Sequence, residues 1–180
     1  MELDWTNTKS AAYSFRAVDG TVKLDSSANG AYTDFVPSGY FYIHGAWFHV
    51  TGGGTCKFDG GANGRIYADA GTVEIDAGVT LEVPNANVWL RDSTTFEVHF
   101  WGHGTSCGLL KASSITIQAG TGTIKVVNDQ VQLDPMQQWT FMQLESPLAT
   151  INVVSYFFTE TVPPGSQIDR TNTWYWFLQS

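Results

Sequence analysis

One short phrase recurs along this chain of 180 residues. "GTVKLD" begins at Gly20, "GTCKFD" at Gly54, "GTVEID" at Gly71 and "GTIKVV" at Gly122. The starts lie 34, 17 and 51 residues apart, which are two, one and three times 17. Regular internal spacing is what a solenoid produces, because each coil buries its face only against its neighbours. The phrase also suits a coil. Gly supplies a corner where a Cβ would clash, and the alternation that follows sends Val73 and Ile75 to one face and Thr72, Glu74 and Asp76 to the other. Leu24, Phe58 and Val126 occupy the place of Ile75 in the other copies, so a 17-residue rung with an inward column of bulky side chains is expected.

The rest of the chain agrees on strand. "GYFYIHGAWFHV", "GRIYAD", "VTLEV", "NVWLRD", "TFEVHF", "SITIQ", "ATINVVSYFF" and "TWYWFL" are short, rich in Thr, β-branched and aromatic residues, and bounded by Gly, Asn, Asp or Pro. Two segments, 10–17 and 134–143, carry enough 3–4 spacing for a turn or two of helix. The expected fold class is all-β: a single-stranded parallel β-solenoid, or β-helix, with a β-sandwich or jelly roll as the alternative. One domain spans 1–180, with an N-terminal cap at 1–18, rungs over 19–160, and a C-terminal cap or interface strand at 161–180 set off by Pro163-Pro164. Caps are expected because open solenoid ends expose unpaired strand edges.

"GLLKASSITIQAGTGTIKVV" followed by "PMQQWTFMQLES" resembles the closing part of autotransporter-type passenger domains, over about residues 105–160. The resemblance implies the last turns of a parallel β-helix on an exported surface protein, and a role in adhesion or scaffolding, less often in enzyme activity. No membrane barrel is expected within these 180 residues, which departs from the pattern of a complete autotransporter.

Charge narrows the partners. There are 17 acidic residues against 9 basic ones, a net charge of -8, and no basic cluster. Nucleic acid and anionic membranes are therefore not expected as partners. No apolar run is long enough to span a bilayer, and "MELDWTNTKS" lacks the pattern of a signal peptide, so Met1 is read as standing before a mature or excised segment. A charge-poor, Thr-rich surface points to a secreted or cell-surface location. Cys56 and Cys107 are free thiols, a disulfide or half of a metal site, the last only weakly signalled without CxxC spacing. Their separation of 51 is again three times 17; strict 17-residue rungs would hold them about 14 Å apart in one column, too far to bond.

Candidate chemistry is sparse. His44 with His49, and His99 with His103, are too far apart along a strand to share an ion directly, roughly 13 Å for a four-residue step. Assembled across neighbouring rungs they would offer a zinc-class site; packing is the plainer reading, and neither a metal nor another cofactor is expected. "DGGANGRIYADAG" (59–71) has oxygen donors among glycines but not the spacing of a calcium loop. Asp59, Asp69, Glu74, Asp76, Glu82 and Asp92 offer carboxylate pairs, yet none is marked by its context. With no nucleophile elbow, P-loop or dinucleotide fingerprint, the chain reads as no enzyme, a β-helical polysaccharide lyase or hydrolase being the weaker option.

Aromatic residues are the most suggestive feature. Tyr40, Tyr42, Trp47, Trp101, Trp174 and Trp176 are the candidate ligand-binding positions, as a platform for sugar rings or as an interface. The expected function is a non-catalytic exported β-solenoid module for adhesion, surface scaffolding or self-assembly into a fibre. The alternative is a carbohydrate-binding module. Expected partners are a surface glycan or further copies of the chain in a homo-oligomer.

Overall fold

The computed structural model describes residues 2–5, 15–27, 32–35, 40–58, 65–91, 93–101, 103–117, 123–129, 138–145, 155–158, 167–170 and 173–177. They form the strands β1 (Glu2–Trp5), β2 (Phe15–Val18), β3 (Thr21–Asp25), β4 (Tyr32–Phe35), β5 (Tyr40–His44), β6 (Trp47–Thr51), β7 (Gly54–Phe58), β8 (Arg65–Asp69), β9 (Thr72–Ile75), β10 (Val79–Arg91), β11 (Thr95–Phe100), β12 (Leu109–Ile117), β13 (Thr123–Asn128), β14 (Gln138–Leu144), β15 (Ser155–Phe158), β16 (Gln167–Arg170) and β17 (Thr173–Phe177). The parts of 10–17 and 134–143 that are described are strand, not helix; their β-branched and aromatic residues find ladder partners, and burial there overrides local propensity.

The strands stack as a parallel β-solenoid with three faces. The first face is the seven-stranded sheet β1-β3-β6-β9-β11-β13-β15. The second holds β2, β5, β8 and the later halves of β10 and β12, and the third holds β4, β7, the earlier halves of β10 and β12, then β14. From β2 to β14 the chain visits second, first and third face in turn. β10 and β12 cross from third to second face without a break, and a register shift between Val83 and Asn87 marks the bend. β17 pairs antiparallel with β14, and β16 antiparallel with β17, so the parallel order changes at that edge.

The rung is longer than the sequence spacing predicts. Thr21, Trp47, Thr72 and Thr95 are successive partners on the first face, each one rung beyond the last. Thr51 and Asp76, which stand at equivalent places on adjacent rungs, are separated by 25 in sequence. Three strands and three corners thus consume about 25 residues, not the shorter period of the phrase. The copies at Gly20, Gly71 and Gly122 fall on alternate rungs of the first face, so their separation of 51 is two rungs. The copy at Gly54 opens β7 on the third face, and counting it with the others creates the false period. The inward column is Leu24–Val50–Ile75–Val98–Val126. Phe58 is buried too, but on the third face. Cys56 and Cys107 share no column for the same reason: Cys56 is partnered by Leu81, and Cys107 makes an isolated bridge with Phe100. Both thiols are free.

Alternation places one side chain in two inside, and the core is the set of these columns. Phe41, Phe48, Phe58, Phe96, Phe100, Phe141 and Trp139 are its largest members, each almost fully buried. Burying such a side chain stabilises by about 1.5–3 kcal/mol. One corner repeats with the rung. Asp19 (φ 59°), Gly45 (φ 63°), Ala70 (φ 52°) and Ser93 (φ 55°) each take the left-handed conformation between second and first face. Buried Ser26 and Thr94 satisfy corner carbonyls: Ser26 Oγ donates to Thr51 O (3.2 Å) and Thr94 Oγ1 to Ala68 O (2.9 Å). No helix among the described residues is long and apolar enough to cross a membrane.

Candidate functional site

Because each face presents every second side chain outward, chemistry on a solenoid is written in columns across the rungs. Two outer faces carry contrasting columns.

On the second face the central column is Arg16–Tyr42–Tyr67–Trp89–Thr116. Tyr42 and Tyr67 meet at 6.4 Å between ring centroids, and Tyr67 and Trp89 at 5.3 Å, both edge to face. Two guanidinium groups cover rings: Arg16 lies 5.2 Å from the centre of Tyr42, and Arg65 5.1 Å from that of Trp89. Arg65 also donates to the Tyr67 hydroxyl at 3.0 Å. Beside the column, Asp69 accepts from the Tyr42 hydroxyl at 3.0 Å and approaches His44 Nδ1 at 3.5 Å. Burial, and then this bond to Asp69, raise the Tyr42 pKa. Trp89 Nε1–H is buried and, among the described residues, is the buried side-chain polar atom without a partner.

The first face is acidic and histidine-bearing. One outward column runs Lys23–His49–Glu74–Glu97–Lys125, and Asp25, Thr51, Asp76 and His99 stand beside it. Glu74 is the hub. Its Oε1 lies 3.6 Å from His49 Nε2 and 3.4 Å from His99 Nε2. His49 Nε2 also meets Asp76 Oδ1 at 2.7 Å, and His99 Nε2 meets Glu97 Oε1 at 3.2 Å, while His99 Nδ1 meets Asp129 Oδ1 at 2.6 Å. The second oxygen of each central carboxylate is held from outside: Trp47 Nε1 donates to Glu74 Oε2 (2.8 Å), Lys125 Nζ to Glu97 Oε2 (2.9 Å), and the Thr51 hydroxyl to Asp76 Oδ2.

These contacts set the electrostatics. For His99, burial alone lowers the pKa, but hydrogen bonds to Glu97 and Asp129, with the charges of Asp129 and Glu74, raise it to about 9. The hydrogen bond to Asp76 likewise raises His49. Glu97 is lowered, first by its bond to His99. Asp76 is lowered because bonds to His49 and Thr51 outweigh its desolvation.

The six expected aromatic positions do not share one face. Tyr40 opens β5 opposite Arg65, and Tyr42 is half-buried in the second-face column. Trp47 and Trp101 stand at opposite ends of first-face strands, 40% and 44% exposed. The Trp47 ring stacks on His49, with centroids 4.9 Å apart, and the Trp101 carbonyl accepts from Trp139 Nε1 at 3.0 Å. Trp174 and Trp176 lie in β17 opposite Met142 and Trp139; their side chains lie outside the described residues. The strands bring His49 and His99 to one carboxylate, and leave His44 on the second face and His103 beyond β11. Residues 59–64 of the Gly-rich segment 59–71, whose spacing does not match a calcium loop, lie outside the described residues. Tyr67, Trp89, Arg16 and Arg65 were not singled out by the sequence reading. Aligning "YFYIH", "GRIYAD" and "NVWLRD" by the true rung length finds Tyr42, Tyr67 and Trp89 in one column. Compared with protein-family models, curated proteins and solved structures, the chain matches none.

Proposed function

We propose that this chain is a non-catalytic adhesion module of an exported surface protein, and that it holds an extended acidic glycan along its second face. One observation carries the reading. Three of the four arginines in a chain of net charge -8, namely Arg16, Arg65 and Arg91, lie on the face that carries the Tyr42–Tyr67–Trp89 ladder. Rungs recur about every 4.8 Å, so the ladder repeats its aromatic edges and cations along a line, as a polymer of similar rings requires. Aromatic surface supplies contact at low entropy cost, and guanidinium recognises carboxylate or sulfate in bidentate fashion.

Cleavage of a glycosidic bond needs two carboxylates beside the sugar. Asp69 is the carboxylate described on this face, and it is tied to Tyr42 and His44; that favours holding over cutting. Export rests on the charge-poor composition and on the likeness of residues 105–160 to autotransporter-type passengers.

The test is a fluorescence titration with a uronate or sulfated oligosaccharide and a neutral one of equal length. The expected result is saturable binding of the acidic chain, weakened at least tenfold in Tyr67→Ala and in Arg16→Ala and by added salt. Equal affinity for both oligosaccharides, or no loss in the variants, overturns the reading. Self-association with no glycan binding transfers the role to scaffolding.

A further inference from the structure

We propose that the first face holds a metal site: Glu74 Oε1, Glu97 Oε1 and His99 Nε2 bind a divalent transition-metal ion of zinc's class. The site is independent of the glycan reading, which concerns a different face.

Geometry is the first ground. An ion about 2.0–2.1 Å from each of its tetrahedral ligands holds them about 3.4 Å apart. His99 Nε2 stands 3.4 Å from Glu74 Oε1 and 3.2 Å from Glu97 Oε1, and one donor atom from each of the three residues lies within 4.8 Å of the others. One imidazole with two carboxylates suits zinc, cobalt or manganese better than calcium, which takes six to eight oxygens.

Support around the donors is the second ground. Metal-binding histidines characteristically give their other ring nitrogen to a carboxylate, and metal-binding carboxylates are themselves hydrogen-bonded. Asp129 Oδ1 takes the Nδ1 side of His99 at 2.6 Å, which leaves Nε2 for the ion. Trp47 and Lys125 hold the outer oxygens of Glu74 and Glu97 at 2.8 and 2.9 Å, which leaves both Oε1 atoms turned to the same point.

Charge is the third. Asp25, Glu74, Asp76, Glu97 and Asp129 face Lys23 and Lys125. In metal-free protein His99, with its pKa raised to about 9, carries a proton near neutral pH, so five negative charges face Lys23, Lys125 and His99; a divalent ion that displaces the His99 Nε2 proton adds one net positive charge to that acidic cluster. His49 and Asp76 complete a matching triad on the other side of Glu74. Their direct 2.7 Å contact and the lack of a described carboxylate behind His49 make that side the weaker of the two.

The experiment is calorimetric titration of the folded protein with zinc chloride in a non-chelating buffer, followed by the visible spectrum of the cobalt form. We expect one equivalent to bind at micromolar concentration or tighter, with Asp129→Asn weakening it 10- to 100-fold. His99→Gln and Glu97→Gln should each abolish that equivalent while circular dichroism stays unchanged. Cobalt should give the intense absorption of a low-coordinate ion with a nitrogen ligand. Zinc affinity equal in wild type and in all three variants overturns the site, as does wild-type protein that takes up no zinc or yields only the weak spectrum of hydrated cobalt. If a variant fails to fold, the wild-type cobalt spectrum decides alone.

Discussion

At the scale of single residues, the corner between Asp69 and Thr72 makes two opposite demands side by side. Ala70 sits in the left-handed region at φ 52°, which costs an L-residue roughly 1–2 kcal/mol. Gly71 has the Ala46 carbonyl oxygen where its Cβ would be. Ala70→Gly should therefore leave stability unchanged or raise it by up to about 1 kcal/mol, the relief of strain being partly offset by a freer unfolded chain. Gly71→Ala should cost about 1–3 kcal/mol or more, because the obstructing atom is backbone and belongs to the neighbouring rung. Thermal denaturation of the two variants reads both signs. His99 gives a pH dependence. Its folded pKa of about 9 exceeds the ordinary 6.5, so its contribution is complete below about pH 6.5 and is lost as pH rises through 9. His49 acts with the same sign. Glu97 and Asp76 are lowered, so theirs is present above about pH 4.5 and lost as pH falls through their folded values. Metal-free protein should melt at progressively lower temperature between about pH 6.5 and pH 9.5, by at most on the order of 3 kcal/mol from His99. His99→Gln should flatten that decline; an unchanged slope would show that the contacts to Glu97 and Asp129 do not form in solution.

At the scale of strands, the inward columns bind the rungs together. Ile75, fully buried between Val50 and Val98, is the test position. Ile75→Ala should cost about 2–5 kcal/mol, measured by urea denaturation, and loss below about 1 kcal/mol would mean that the column is loosely packed. Much of this level was legible in the sequence. Alternation in "GTVEID" identified Val73 and Ile75 as inward and Glu74 and Asp76 as outward, and Leu24 and Val126 were correctly placed in the Ile75 column. What alternation cannot tell is which face a strand belongs to, since strands of all three faces obey the same two-residue period. Phe58 was misassigned for that reason, and the rung length with it. The functional columns were hidden by the same ambiguity. Tyr42, Tyr67 and Trp89, or Glu74, Glu97 and His99, are distant in the chain and become neighbours only once the true rung length is known. The candidate histidines could be named from the sequence; the carboxylates that meet them could not be chosen from among many.

At the scale of the whole molecule, the solenoid turns one net-acidic chain into an object with chemically different sides. The first face gathers carboxylates and histidines, and the second gathers aromatics and arginines, so the net charge of -8 describes neither. The thiols follow from the same stacking. Burial pushes the Cys56 pKa up to about 11 and also raises that of Cys107. Folded protein at pH 8 should resist alkylation, since the thiolate is the reactive form. Denatured protein without reductant should gain two adducts by intact mass; a mass showing none would mean a disulfide and a different path for the chain. The central claim is the three-faced rung of about 25 residues, which brings these columns together. Spin labels at Lys23→Cys and Lys125→Cys, in a Cys56→Ala/Cys107→Ala background, test it by their dipolar distance. The two positions lie in one outward column, four rung steps apart, which predicts a backbone separation of about 19 Å. A separation of about 29 Å, six steps of the shorter coil that the phrase spacing suggested, or a broad distribution with no defined maximum, would contradict it.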